Sequence, residues 1–151
     1  MLTCTPQSWV SWNYLVQGLS SGACALLRFD ALFGDGGFQI GERRFDVIKG
    51  PLFSGRWRLQ QGDQVIMEAE ETSLISGNLK LRAEGQELGL RPSGAFTRGY
   101  DIVSHHHTVG TIRRGTWLSR RVEVICDGTV PELTQLFAFW LAVTKWRRNR
   151  H

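Results

Sequence analysis

Cysteine is scarce in this 151-residue sequence: only Cys4, Cys24 and Cys126 are present, and no two of them are spaced like a metal-binding pair. An odd count without a Cys-x-x-Cys motif argues against a disulfide framework and against a structural zinc site. The beginning of the sequence also lacks a basic segment followed by a long apolar run, so we expect no secretory signal. A cytoplasmic protein without a cofactor is the expectation, with Cys126 as a small core residue.

Long hydrophobic runs are also missing, since the longest one in the C-terminal region has eight residues, Leu136 to Val143. A membrane span needs about twenty predominantly apolar residues, so no transmembrane segment is expected. The run is apolar on every side, which indicates a helix buried in protein, over residues 130–148. Thr129 and Glu132, with Pro131 between them, form a capping-box pattern at its start.

The net charge is small, +4 from 18 basic and 14 acidic residues, but it is unevenly distributed. The last forty residues hold eight Lys and Arg against three Asp and Glu, whereas the first 111 hold ten against eleven. This asymmetry suggests an anionic partner, although a solvated surface explains it as well. Nucleic acid is not expected as that partner, because the overall charge is modest and no nucleic-acid-binding motif occurs.

Seventeen glycines punctuate the sequence and separate short segments in which apolar and polar residues alternate. In residues 78–83 the leucines take every second place, and Trp57 and Leu59 alternate with Arg56 and Arg58. Apolar residues at every second position predict half-buried antiparallel strands. We expect about eleven of them, from near Trp9 to near Cys126. So many strands must close into a barrel or fold into a sandwich to protect their edges.

The strands and the helix together predict one all-β domain over residues 1–151. It is an antiparallel β-barrel of about eleven to twelve strands, over residues 9–126, closed around the buried hydrophobic C-terminal helix. A barrel is favoured over a sandwich because its interior supplies apolar side chains in every direction around such a helix.

Several segments resemble the tubby C-terminal-like superfamily, which includes tubby proteins, phospholipid scramblases and LURP-one-related proteins. They are the strand–turn–strand segments 53–69 and 79–102, the late strand 109–114 and the closing helix 139–148. The resemblance, which is to bacterial-type members, implies a barrel around a central helix and an association with lipids. No tubby phosphoinositide-binding residue can be matched here. A scramblase is not expected, because the acidic calcium-binding segment and the cysteine cluster are missing.

The segment 113–121 contains two arginine pairs on either side of a tryptophan and is the candidate binding site. Its members are Arg113, Arg114, Trp117, Arg120 and Arg121. On a hairpin, four guanidinium groups and an indole would converge at one end of the barrel. Arginine forks bind phosphate in a bidentate manner, and an exposed tryptophan suits a membrane interface or a stacked base. The alternative is a solvated hairpin whose tryptophan packs on a neighbouring loop.

The remaining polar motifs favour structural interpretations. His105 and His107 could share a metal with a third ligand, but residues 105–107 are better explained as a polar turn between Ser104 and Thr108. Asp101 could orient a histidine, yet no nucleophile or second carboxylate accompanies it. The C-terminal basic residues complement a helix dipole. They are Lys145, Arg147, Arg148 and Arg150. Four tryptophans, Trp9, Trp12, Trp57 and Trp140, are expected in the core.

The sequence therefore predicts a non-catalytic binding module for an anionic partner, either lipid headgroups at a membrane surface or another phosphorylated ligand. The alternative is a structural or protein–protein interaction domain without a small-molecule ligand. An enzyme is the third hypothesis and is not expected, because no set of residues with catalytic spacing occurs.

Overall fold

The protein's structure is a computed structural model that describes residues 1–8, 11–30, 35–51, 54–73, 77–83, 85–94, 99–115 and 120–148. These ranges contain twelve strands and one helix. The strands are β1 (Leu2–Pro6), β2 (Tyr14–Gln17), β3 (Ala25–Phe29), β4 (Gly36–Ile40), β5 (Arg43–Lys49), β6 (Arg56–Gln61), β7 (Gln64–Glu71), β8 (Leu79–Ala83), β9 (Gln86–Pro92), β10 (Tyr100–Ser104), β11 (His107–Arg114) and β12 (Val122–Cys126). The helix is α1 (Glu132–Arg148). The first strand therefore begins earlier than predicted, at Leu2 and not near Trp9.

The twelve strands form a closed barrel in which each strand pairs antiparallel with the next one in sequence. The first and last strands close it, with Leu2 opposite Val124 and Cys4 opposite Val122. Closure leaves no strand edge exposed to another chain. The predicted antiparallel barrel is thus confirmed.

Alternation along the strands separates the two faces of the barrel wall. In β6, Trp57 and Leu59 are buried, whereas Arg56 and Arg58 are exposed. This is the arrangement that the alternating sequence predicts, because successive side chains of a strand point to opposite faces. The inward residues of all strands form the wall of one apolar core.

Helix α1 fills this core. All eight residues from Leu136 to Val143 are at most 1% exposed. Two of them make aromatic contacts with the barrel wall: Phe139 packs edge-on against Tyr14 of β2, and Trp140 stacks on Phe29 of the adjacent strand β3. The predicted buried helix is therefore confirmed. No helix within the described ranges has the length and apolar character needed to cross a bilayer.

The predicted capping box is not formed at the start of α1. The carboxylate of Glu132 accepts hydrogen bonds from the backbone N–H and the hydroxyl of Ser20, each at 2.8 Å. Thr129 donates both its backbone N–H and its hydroxyl to the carboxylate of Asp127. The first intrahelical bond runs from the Gln135 N–H to the Pro131 carbonyl at 3.0 Å. Each capping side chain thus has another partner, and the helix begins two residues later than predicted.

The direction of α1 distinguishes the two ends of the barrel. Its first residue bonds to Ser20, and its last turn contacts Glu71 at the end of β7. We call the first the helix-entry end and the second the helix-exit end. The connections at the helix-entry end are residues 18–24, 41–42, 62–63, 84–85, 105–106 and 127–131. Those at the helix-exit end are residues 7–13, 30–35, 50–55, 72–78, 93–99 and 115–121.

Candidate anion-binding face

The predicted arginine hairpin joins β11 to β12 at the helix-exit end. Arg113 is exposed and lies opposite Glu123 on the outer face of the barrel. Arg121 is also exposed, and its carbonyl accepts a hydrogen bond from the Gly115 N–H at 2.8 Å. Trp117, the fifth predicted site residue, lies outside the described residues. Arg113 and Arg121 therefore form an exposed, outward pair at the rim.

The other two arginines contact aromatic rings at the mouth of the barrel. The Arg114 guanidinium lies over Trp146, 4.8 Å from the ring centroid. The Arg120 guanidinium lies over Trp12 at 5.1 Å and donates to the Ser11 carbonyl at 2.8 Å. The four predicted arginines thus share one end of the barrel but divide into an outward pair and a pair that packs on tryptophan.

Aromatic and guanidinium groups stack on one another across the helix-exit end in what we call the exit stack. Its members, in spatial order, are Trp140, Phe29, Arg147, Trp12 and Arg120. Arg147 lies 5.9 Å from the Phe29 centroid and 5.5 Å from that of Trp12. Burial lowers the pKa of its guanidinium, and the charge of Asp30 partly opposes this. Cation–π contacts are strongest when desolvated, so the stack fixes the end of α1 in the barrel.

A buried carboxylate holds the last turn of α1. The Glu71 side chain is only 4% exposed, and its carboxylate accepts hydrogen bonds from Lys145 Nζ at 3.0 Å and Arg148 Nη1 at 2.6 Å. Burial alone would raise the pKa of Glu71, but the two cationic donors outweigh it and the pKa is lowered. The Lys145 side chain is 9% exposed, so this lysine is part of the core and does more than complement the helix dipole.

These contacts were not visible in the sequence. Lys145 and Glu71 are 74 positions apart, and no local pattern marks either as the partner of the other.

Of the four tryptophans predicted in the core, Trp57 and Trp140 are buried and Trp12 is partly buried. Trp9 lies outside the described residues. A sequence signal for this end of the barrel is a tryptophan beside basic residues, as at Trp146 and Arg147.

The histidine segment forms the polar turn that the sequence predicts. His105 and His106 are the two turn residues, with φ of 48° and 69°, and the next strand begins at His107, one residue earlier than expected. Within the described ranges, no three His, Cys, Asp or Glu side chains are grouped to hold a metal ion.

Cys126 is partly buried against the core, which raises the pKa of its thiol to about 11.

A second charged feature is a trough of about 460 Å³ on the outer wall, over β6, β7 and β8. Its charged lining residues are Arg56, Arg58, Glu68, Glu70, Lys80 and Arg82. Glu70 pairs with Arg56 at 3.7 Å and with Arg82 at 3.1 Å, and Glu87 pairs with Lys80 at 3.5 Å. Most of the positive charge in this trough is therefore matched by carboxylates on neighbouring strands.

Comparison of the chain with protein-family models, with curated proteins and with solved structures finds no match. The barrel around a central helix is the fold that the tubby-like resemblance implies, whereas membership of that superfamily stays a prediction. The residues of the candidate face are therefore assigned from their geometry and their charge.

Proposed function

We propose that the protein is a non-catalytic binding module of the tubby-like type, with anionic lipid headgroups as its favoured ligand. The observation that carries this proposal is the meeting of two basic segments at the helix-exit end. Arg120 and Arg147 both lie over the ring of Trp12, and Arg114 lies over Trp146. Segments 113–121 and 145–148, which are distant in the sequence, thereby join into one basic face.

The roles of the arginines follow from their surroundings. Arg113 and Arg121 are exposed on the rim, and the Arg148 side chain is 48% exposed although it donates to Glu71. Exposed guanidinium groups can form paired hydrogen bonds with the oxygens of a phosphate. Arg114 and Arg120 position the rim through their contacts with the two tryptophans. We therefore assign ligand contact to the outward pair and positioning to the inward pair.

Sedimentation with vesicles tests this function. Wild-type protein is expected to pellet with vesicles of phosphatidylcholine and phosphatidylserine and to remain in solution with phosphatidylcholine alone. Raising the salt from low to physiological concentration should weaken the binding, because exposed charges are screened over about 8 Å at 0.15 M. Soluble glycerophosphoserine should compete only if the headgroup alone is recognised.

The variant R113Q/R121Q is expected to lose most of the pelleting, because it removes two exposed charges from the rim. The matched control R58Q/K80Q removes two charges from the outer trough and should bind like wild type. Equal binding of both variants, or no binding by the wild type, would contradict the proposal and favour an interaction domain for a protein partner.

A further inference from the structure

The charged residues of the trough over β6, β7 and β8 differ in whether they are paired. Both carboxylate oxygens of Glu70 are engaged: Oε2 lies 3.7 Å from Arg56 Nε, and Oε1 accepts a hydrogen bond from Arg82 Nη2 at 3.1 Å. Glu87, on the next strand, lies 3.5 Å from Lys80 Nζ and 3.7 Å from Arg82 Nε. Three of the four cations in the trough are thus paired with these two carboxylates.

Two charged lining residues, Arg58 and Glu68, stand apart from this network. They lie opposite each other on β6 and β7, and both are exposed. Among the residues that the structure describes, neither side chain forms a salt bridge or a hydrogen bond. Glu68 is also opposite Arg82 of β8, but the Arg82 guanidinium is directed to Glu70 and Glu87. The trough therefore presents one guanidinium and one carboxylate to solvent on neighbouring strands.

The space around these two groups has the size of a ligand site. Its volume of about 460 Å³ falls within the range of small-molecule pockets, roughly 300–1,000 Å³. Trp57 and Ala69, which belong to the lining, lie opposite each other with their side chains buried in the core, so neither side chain protrudes into the trough. Gly50 and Pro51 line it at the helix-exit end. A small molecule can therefore contact the guanidinium and the carboxylate together.

We propose that the trough binds a small acidic zwitterion, an α-amino acid with an acidic side chain, whose α-carboxylate is held by Arg58 and whose ammonium is held by Glu68. A guanidinium donates paired hydrogen bonds to a carboxylate, and a carboxylate accepts from the three N–H donors of an ammonium. An exposed ion pair contributes little to stability, so a ligand can bind between the two side chains at small cost. This site is separate from the arginine hairpin and does not depend on the proposed function.

The charge of the trough selects an acidic side chain on the ligand. The six charged lining residues are four cations and two carboxylates, a balance of +2, and Glu87 beside them reduces it to +1. A neutral zwitterion leaves this excess uncompensated, whereas two carboxylates and one ammonium match it. The second carboxylate has Lys80 and Arg82 within the same lining, and their side chains are 38% and 54% exposed. Charge complementarity of this kind provides specificity more than affinity.

Titration of the isotope-labelled full chain with L-glutamate, followed by NMR, tests the site. The backbone amides of Gly50 and Ala69 report on it, because both residues line the trough. We expect saturable shifts with a roughly millimolar dissociation constant, since the site is open to solvent and to screening ions. Glutarate lacks the ammonium and γ-aminobutyrate lacks the α-carboxylate, so each should bind several-fold more weakly. No saturable shift with L-glutamate, or equal affinity for glutarate, would overturn the proposal.

Single variants separate the two halves of the site. E68Q should bind L-glutamate several-fold more weakly but glutarate at least as well as wild type, because it removes a carboxylate that repels a dianion. R58Q should weaken the binding of both. The matched control R44Q/D46N removes one Arg and one Asp that pair at 3.3 Å on the outer face of β5, and it should bind like wild type. If E68Q changed the two affinities equally, the site would recognise anions only and the proposal would be wrong. Vesicle binding does not enter this experiment, so its failure leaves the proposed function intact.

Discussion

The two ends of the barrel hold the same helix by different means. At the helix-entry end, Glu132 of α1 bonds to Ser20 through exposed hydrogen bonds. At the helix-exit end the helix supplies the cations, Lys145 and Arg148, and the barrel supplies the carboxylate of Glu71, whose side chain is buried beneath them. An exposed hydrogen bond contributes little to stability, whereas a buried ion pair becomes costly once one partner is removed. The helix is thus attached weakly where it enters and firmly where it leaves.

The connections differ in the same way. Two-residue turns at the helix-entry end are specified locally, for instance by Gly41 and Gly62 with φ near +60°. The longer connections at the other end are held by bonds between neighbours: the Asn13 side chain accepts from the Phe29 N–H, and Asp35 accepts from the Lys49 N–H at 2.8 Å. The turns at the helix-entry end are therefore determined by their own residues, whereas the connections at the helix-exit end depend also on contacts with neighbouring segments.

The largest expected difference between the two ends is the loss of stability when the glutamate at each end is replaced by glutamine. E71Q is expected to lower the free energy of unfolding by about 3 kcal/mol, because it leaves the buried Lys145 without its carboxylate. E132Q, the matched change at the other end, should lower it by less than about 1 kcal/mol, because its bonds are exposed. Urea denaturation of both variants measures the difference, and equal losses would show that the two attachments are equivalent.

Lowering the pH should remove the stabilising effect of the Glu71 carboxylate. The pKa of Glu71 is lower in the folded protein than the ordinary value of about 4.3. Its contribution to stability is therefore present above that value and is lost as the pH falls through the folded pKa. Urea midpoints between pH 7 and pH 3 are expected to converge for wild type and E71Q. If the difference in urea midpoint between wild type and E71Q stayed constant over this range, ionised Glu71 would not be stabilising.

The smallest expected effect is a gain in stability from a change in a turn at the helix-entry end. Both turn residues, His105 and His106, have positive φ, which is unfavourable for residues with a Cβ and suits Asn-Gly. The variant H105N/H106G should raise the free energy of unfolding by about 1 kcal/mol, or the melting temperature by roughly 2–4 °C. H107N, in the following strand, is the control and should give no gain. A destabilised double variant would contradict this account of the turn.

Much of the fold was predictable because it depends on local patterns. Alternation in segments such as Trp57–Leu59, glycine at the turns and eight apolar residues in a row predicted an antiparallel barrel around a helix. The capping box at Thr129 was predicted and is absent, because Asp127 and Ser20 compete for the same side chains. The candidate site was predictable only as a concentration of arginines, since a sequence does not state which way a guanidinium group points.

Local sequence patterns specify the period of the strands, the position of the helix and the concentration of basic residues near its end. These follow from side-chain alternation and from composition, which act over a few residues. Tertiary packing sets the directions of the arginines: Arg113 and Arg121 are exposed, while Arg114 and Arg120 pack on tryptophan. It also placed Glu71 beneath Lys145, across 74 positions of sequence. Such contacts depend on barrel closure, which brings residues together irrespective of their separation along the chain.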